Sequence, residues 1–171
     1  MTGFVMNTRR APFDDIRVRE AMIAAFNFEY INETLTGGAQ PRITSYFSNS
    51  PLAMSDGPAE GRVAELLAPF KDSLPEGALE GYALPVSDGS ARNRSGIRTA
   101  MKALHDAGYT AQDGTMRDAN GKALRFRILL SKGSTENMAI AELYIQALKR
   151  LGVEATVEAV DDAQFVSRNA E

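Results

Sequence analysis

The chain predicts an α/β fold, and three observations carry that prediction. Leu124, Phe126, Ile128 and Leu130 alternate as a half-buried strand does, a helical period over Ile140, Leu143, Tyr144, Ala147, Leu148 and Leu151 follows, and residues 153–160 read as a second strand. Strand, helix, strand is a crossover that sets its two strands parallel in one sheet and is almost always right-handed. One domain over residues 1–171 is expected, because 171 residues with 44% hydrophobic side chains suit one core and would strain to fill two.

The remaining elements follow in order. Residues 4–8 are a short apolar run of the strand type, followed by the breaker Pro12 and by Asp14 and Asp15, which are N-cap candidates. Val18, Ala21, Met22, Ala25 and Phe26 then recur on one helical face. A second helix is expected over residues 28–36, capped by Asn27 and stopped by Gly37 and Gly38. Residues 39–58, rich in Ser, Pro, Gly and Asn, form a long loop carrying Tyr46 and Phe47. Residues 59–70 predict an amphipathic helix with Val63, Leu66, Leu67 and Phe70 on one face.

A second irregular stretch contains the turn signal Ser87-Asp88-Gly89-Ser90. Ile97, Ala100, Met101 and Leu104 mark the next helix, which ends at Gly108. Asp113-Gly114 and Asn120-Gly121 are turn dipeptides around a short polar strand, which with the alternating strand of Leu124, Phe126, Ile128 and Leu130 makes a small hairpin. Ser134 or Thr135 caps the crossover helix, Gly152 closes it, and Asp161-Asp162 start a short final helix through Phe165 and Val166.

Composition removes several function classes. Lys and Arg number 19 against 22 Asp and Glu, a net charge of -3, which lacks the basic excess that nucleic acid requires. With no cysteine, disulfides, thiolate nucleophiles and Cys-held metals are excluded. Apolar runs fall far short of the roughly 20 residues of a membrane span. Residues 1–7 show no export signal, which fits either a cytosolic protein or a mature or truncated piece of an exported one.

The titratable residues read as structural. His105, the one histidine, sits late in a helix beside Asp106, where the helix dipole favours it, and no second His or Cys stands by to share a metal. No Gly-x-Ser-x-Gly elbow supports a hydrolase, and Gly37-Gly38 is a helix stop rather than a phosphate cradle. Asp14-Asp15 and Asp161-Asp162 read as caps, and Arg92 and Arg94 as surface partners of Asp88. The glycosylation patterns at Asn32 and Asn93 fall in expected helices and read as idle. Tyr46 and Phe47, aromatic and outside any helical period, either line a ligand cleft or anchor their loop to a core. No cofactor is expected.

Several phrases now stand in a telling order. Asn7, Pro12, Phe13, Asp15, Arg17, Val18, Arg19 and Ala21 fit the pattern N-x-x-x-x-P-F-x-D-x-R-V-R-x-A, and Asn27-Phe28-Glu29-Tyr30-Ile31-Asn32 follows. Leu104, Ala107, Gly108 and Tyr109 fit L-x-x-A-G-Y, and Leu148, Lys149, Leu151, Gly152 and Val153 fit L-K-x-L-G-V. This string resembles the extracellular solute-binding proteins of family 5, the oligopeptide, dipeptide and nickel type. Residues 66–75 and 88–94 look like its YejA-type peptide-binding subgroup.

The resemblance implies a fragment of the C-terminal lobe of a periplasmic-binding-protein-like, type II receptor, with a mixed sheet flanked by helices. It implies a bacterial periplasmic setting, an oligopeptide ligand, an N-terminal lobe of the same receptor, and ABC permease subunits in the inner membrane as partners. The mechanism it implies is hinge closure on a ligand without covalent chemistry. It turns Asn7 and the loop from Ser131 through Lys132 and Ser134 to Glu136 toward the interlobe cleft; Tyr46 and Phe47 are cleft candidates on their residue types and loop position alone. That loop lies between a strand's C-terminal end and a helix N-terminus, where open α/β sheets bind ligands. The competing readings are a stand-alone protein-interaction domain and a small α/β hydrolase, the latter lacking a convergent acid, base or nucleophile set.

Overall fold

A computed structural model of the chain describes residues 3–48, 50–75 and 77–170. Its contacts divide the chain into two compact units: Met1–Gln40 with Pro85–Glu171, and Pro41–Leu84.

The first unit holds the core. Asp15 caps α1 (Ile16–Ala25), its carboxylate accepting from the Arg17 amide at 2.8 Å, and Val18, Ala21, Met22 and Ala25 are buried as the period requires. Phe26 lies just past the helix end and packs its ring edge-on against Tyr144 at 5.1 Å. Helix α2 runs Phe28–Thr36 and stops at Gly37, whose φ of 61° is the left-handed conformation that a side chain disfavours.

Two expectations are corrected here. Asn27 stands at the N-cap position of α2 but makes no capping bond. Its buried amide instead donates to the Ser90 carbonyl at 2.8 Å and accepts from the Ser87 hydroxyl at 2.6 Å, so it fastens the 87–90 turn. Residues 4–8 form no strand. Phe4 and Met6 face the core while Val5 is 95% exposed, the alternation of an extended segment, but no ladder partner pairs with it among the described residues.

Helix α4 (Arg94–Asp106) starts at Asn93, whose side chain accepts from the Gly96 amide and donates to the Ala24 carbonyl of α1. A Cβ on Gly96 would stand 2.4 Å from that same carbonyl, so glycine is what lets α1 and α4 touch. The helix closes in a Schellman arrangement, Tyr109 amide to Leu104 carbonyl and Gly108 amide to His105 carbonyl.

Strands β1 (Thr110–Gln112) and β2 (Thr115–Arg117) are antiparallel, joined at Asp113-Gly114 with positive φ at both turn residues. The hairpin expected between the short polar strand and Leu124 to Leu130 is corrected: β2 pairs with β1, and across the Asn120-Gly121 turn one bridge joins Arg117 to Ala123 while β3 takes β4 as its partner. Strands β3 (Arg125–Ser131) and β4 (Glu154–Val160) pair in parallel, Arg125 opposite Glu154 through Ser131 opposite Val160, with α5 (Thr135–Arg150) between them in sequence. The strand, helix, strand reading holds. The strands lie in two separate sheets of two, one antiparallel and one parallel, stitched by the Met116 amide donating to the Gly152 carbonyl and the Leu124 amide to the Met116 carbonyl. Helix α6 (Asp162–Asn169) follows, capped by Asp161 through the Gln164 amide at 2.9 Å.

The second unit contains α3 (Gly61–Leu67) and a 3₁₀ turn over Ala68–Ser73. The expected helix over 59–70 is shortened because Pro69 has no amide proton to donate to Glu65, and the chain tightens there. No described residue of this unit is buried. Gly81, at φ 97°, is pressed against Gly57, where a Cβ would stand 2.4 Å from the Gly57 carbonyl oxygen.

Candidate functional site

The loop between β3 and α5 is the place where the parallel pair ends and two helices begin. At the C-terminal edge of the strands the Lys132 amide donates to the Val160 carbonyl at 2.8 Å, which carries the β3–β4 ladder one residue further. The Ser134 amide returns to the Ser131 carbonyl at 3.1 Å and the Gly133 amide to the Ser131 hydroxyl at 3.2 Å, so the loop is a tight turn held from within. The Ser131 hydroxyl donates in turn to the carboxylate of Asp162, in the first turn of α6. The N-termini of α5 and α6 thus open at one edge of the sheet.

Ser134 occupies the N-cap position of α5 but makes no side-chain capping bond. The start of this 16-residue helix keeps the partial positive charge of its unshared amides, tempered by Glu136 in its first turn. Ser131 and Ser134 are half-buried; Lys132 and Glu136 are exposed. Asn7 is exposed, and its side chain accepts from the Arg9 amide at 3.2 Å within its own turn. Tyr46 and Phe47 belong to the second unit, both exposed, their rings tilted at 6.1 Å from one another. The structure groups Ser131, Lys132, Ser134 and Glu136 in one turn.

Two features beside this loop escaped sequence reasoning. Asp162 reads as a helix-start residue, and only the fold brings it to Ser131. On the face of the parallel pair opposite Ile128 and Leu130, Glu158 accepts from Arg127 at 2.9 Å and from Arg168 of α6 at 2.6 Å. The Arg168 hydrogen bond, with the charge of Arg127 and Arg168, holds the Glu158 carboxyl below its usual range.

A cleft of about 450 Å³ lies elsewhere in the first unit, lined by Pro12, Asp14, Asp15, Tyr109, Asp118 and Asn120 among others. Burial, then the carboxylates of Asp118, Asp14 and Asp15, push the Tyr109 hydroxyl up. None of the expected site residues lines this cleft. His105 is exposed, its ring nitrogen 4.0 Å from Asp106, and Lys102 holds that carboxylate at 2.6 Å. Among the described residues no group of three or more His, Asp or Glu could hold a metal, and every buried side-chain polar atom has a partner. No helix among them is long and apolar enough to cross a membrane.

The model of the bacterial extracellular solute-binding proteins, family 5 Middle, matches residues 1–171. The chain belongs to family 5 of the bacterial extracellular solute-binding proteins. Among family 5 relatives, the peptidoglycan-binding protein YepA of Agrobacterium fabrum is 38% identical over 99% of this chain, and the probable peptide-binding protein YejA of the same organism 37% identical over 98%. The chain spans about a quarter of these relatives, 27% in both cases. The fold agrees with solved structures. NikA from Brucella suis, in complex with Fe(III)-EDTA, superposes over 96% of this chain and 27% of its own with a TM-score of 0.68 at 17% identity. The oligopeptide-binding protein AppA from Bacillus subtilis, in complex with a nonapeptide, covers 94% of this chain and 26% of its own with a TM-score of 0.61 at 21% identity. The α/β, periplasmic-binding-protein fold class expected from the resemblance is the one found.

Proposed function

We propose that this chain is part of the ligand-closing, C-terminal lobe of a periplasmic receptor that captures oligopeptides and delivers them to an ABC importer, without catalysing a reaction. Family membership supports the receptor role. The observation that carries the site is the junction of β3 and α5, where Ser134 leaves the helix start uncapped and Ser131 is tied to the start of α6. A helix N-terminus of this kind favours the carboxylate or carbonyl oxygens of an extended peptide. Lys132 adds a positive charge at the rim, and Glu136 a negative one that suits a peptide's amino group or basic side chain. Asn7 is a further proposed contact of this unit, and Tyr46 and Phe47 are a separate proposal within the second unit. The N-terminal lobe of the same receptor supplies the opposing wall, and permease subunits take the loaded form.

The name of YepA gives a reason to include cell-wall peptides among the ligands tested. The experiment is titration calorimetry of the full-length receptor with a tri- to pentapeptide pool and, separately, with peptidoglycan-derived peptides. Lys132→Ala and Glu136→Ala should each weaken binding about tenfold, a change of about 1.4 kcal/mol, with melting unchanged. Unaltered affinity in both variants would remove the loop from the site.

A further inference from the structure

Residues Pro41–Leu84 present a contradiction that points outside this unit. This unit has helical and turn structure, yet none of its described residues is buried. Val63, Leu66 and Phe70, spaced to share one face across α3 and the 3₁₀ turn, are 56%, 60% and 59% exposed. Tyr46, Leu52 and Tyr82 are exposed as well, at 86%, 73% and 52%. A polypeptide of this length cannot offset its conformational entropy without burying apolar surface, and a soluble monomer seldom leaves so much of it in water. Something covers it.

We infer that the covering surface is the remainder of the same polypeptide, the part of the receptor outside this chain, and that the Val63, Leu66 and Phe70 stripe is a permanent intramolecular interface rather than a ligand wall. The relatives favour this occupant over others. They carry the stretch within proteins of which this chain represents 27%, so about three quarters of their length is available to meet it. A transported ligand is a poor alternative, because it leaves at each cycle and would expose the stripe to water between cycles. A second copy is a poor alternative too, since such pairing would vary with receptor concentration. The inference rests on family membership and not on which ligand is bound.

The test is thiol accessibility, which the absence of cysteine from this chain makes clean within it. Leu66→Cys and Phe70→Cys are prepared in the 171-residue chain and in the full-length receptor, and maleimide labelling is timed against each protein unfolded in urea. The expected result is labelling within a fewfold of the unfolded rate in the short chain and at least a hundredfold slower in the full-length receptor, with or without peptide. Hydrogen exchange over residues 61–73 of both unsubstituted proteins gives a second reading that needs no variant, and protection should appear only in the full-length form. Equal labelling in both proteins would overturn the inference. So would protection already present in the short chain, which assigns the cover to its own first unit or, if concentration-dependent, to a second copy. Protection of the receptor only when peptide is added would make the stripe a ligand wall, and would also refute it.

Discussion

The Tyr144 hydroxyl donates a 2.9 Å hydrogen bond to the Met22 carbonyl, joining α5 to α1 across 122 positions of sequence. Phe4 stacks on the Tyr144 ring at 6.2 Å and Phe26 meets it edge-on, so this tyrosine is a junction of three segments. Tyr144→Phe should cost about 1 kcal/mol near neutral pH, because the Met22 carbonyl keeps its bond from the Phe26 amide and is not orphaned. Burial raises the Tyr144 hydroxyl above its ordinary value of 10.0, so the folded state holds this proton after the unfolded chain has released its own. Stability from this group is therefore complete below pH 10 and declines as pH rises above it. Urea melts of both proteins at pH 8 and pH 11 check this, and a difference that fails to shrink at pH 11 contradicts it.

The Asp15 cap gives a second prediction. Asp15→Ala should destabilise by about 1 kcal/mol, and Asp14→Ala by less, since the Asp14 carboxylate accepts from the adjacent Asp15 amide and caps no amide of the helix. The Asp15 carboxyl is held below its ordinary value chiefly by its hydrogen bond with the Arg17 side chain. A depressed carboxylate contributes stability above the unfolded value of about 3.8 and loses it as pH falls through the folded one. Denaturant melts at pH 7 and pH 3 should show the Asp15→Ala deficit narrowing in acid.

Two glycines with similar backbone angles should respond differently. Gly121 and Gly152 have φ of 76° and 74°, but a Cβ at Gly121 meets nothing within 4 Å, whereas one at Gly152 would stand 2.7 Å from the Gly114 carbonyl oxygen. Gly121→Ala should cost about 1–2 kcal/mol from backbone strain alone. Gly152→Ala should cost about 1–3 kcal/mol more, since overlap is added to strain. Thermal melts of the two variants side by side decide it.

The isolated chain should fold yet bind peptide far more weakly than the full-length receptor. A peptide enclosed from both sides buries most of its surface, while a single wall removes about half of that and leaves the ordering cost nearly intact. Loss of several kcal/mol, at about 1.4 kcal/mol per tenfold, moves a micromolar receptor to millimolar binding or beyond. Micromolar binding of a peptide pool by the isolated chain would show that these residues hold a complete site.

Where sequence reading succeeded, the signal was local. The Gly37-Gly38 stop gave α2 the bounds Phe28–Thr36, and the alternation of Leu124 to Leu130 with the period of α5 gave the parallel β3–β4 pair. Where it failed, the decisive partner was distant. Asn27 looks like a cap until Ser87 and Ser90 arrive from 60 residues away or more. The stripe of Val63, Leu66 and Phe70 announces that a face needs covering, but periodicity does not say by what. Likewise the loop of Ser131 to Glu136 was legible as the end of a strand meeting the start of a helix, while its tether to Asp162 needed the fold.

The core unit is assembled from two stretches of chain, one ending at Gln40 and the other beginning at Pro85. The seam is closed from within: the Gln40 amide is bound to the Asn32 side chain, and the Ser87 amide to the Glu29 carboxylate. What lies between the two stretches is therefore an excursion that leaves the core unit after Gln40 and rejoins it at Pro85. Closing a loop twice as long costs only about 0.6 kcal/mol. On the closure term alone, a change in the excursion's length costs the core unit little, so what constrains residues 41–84 is the surface they meet and not the framework they leave and rejoin.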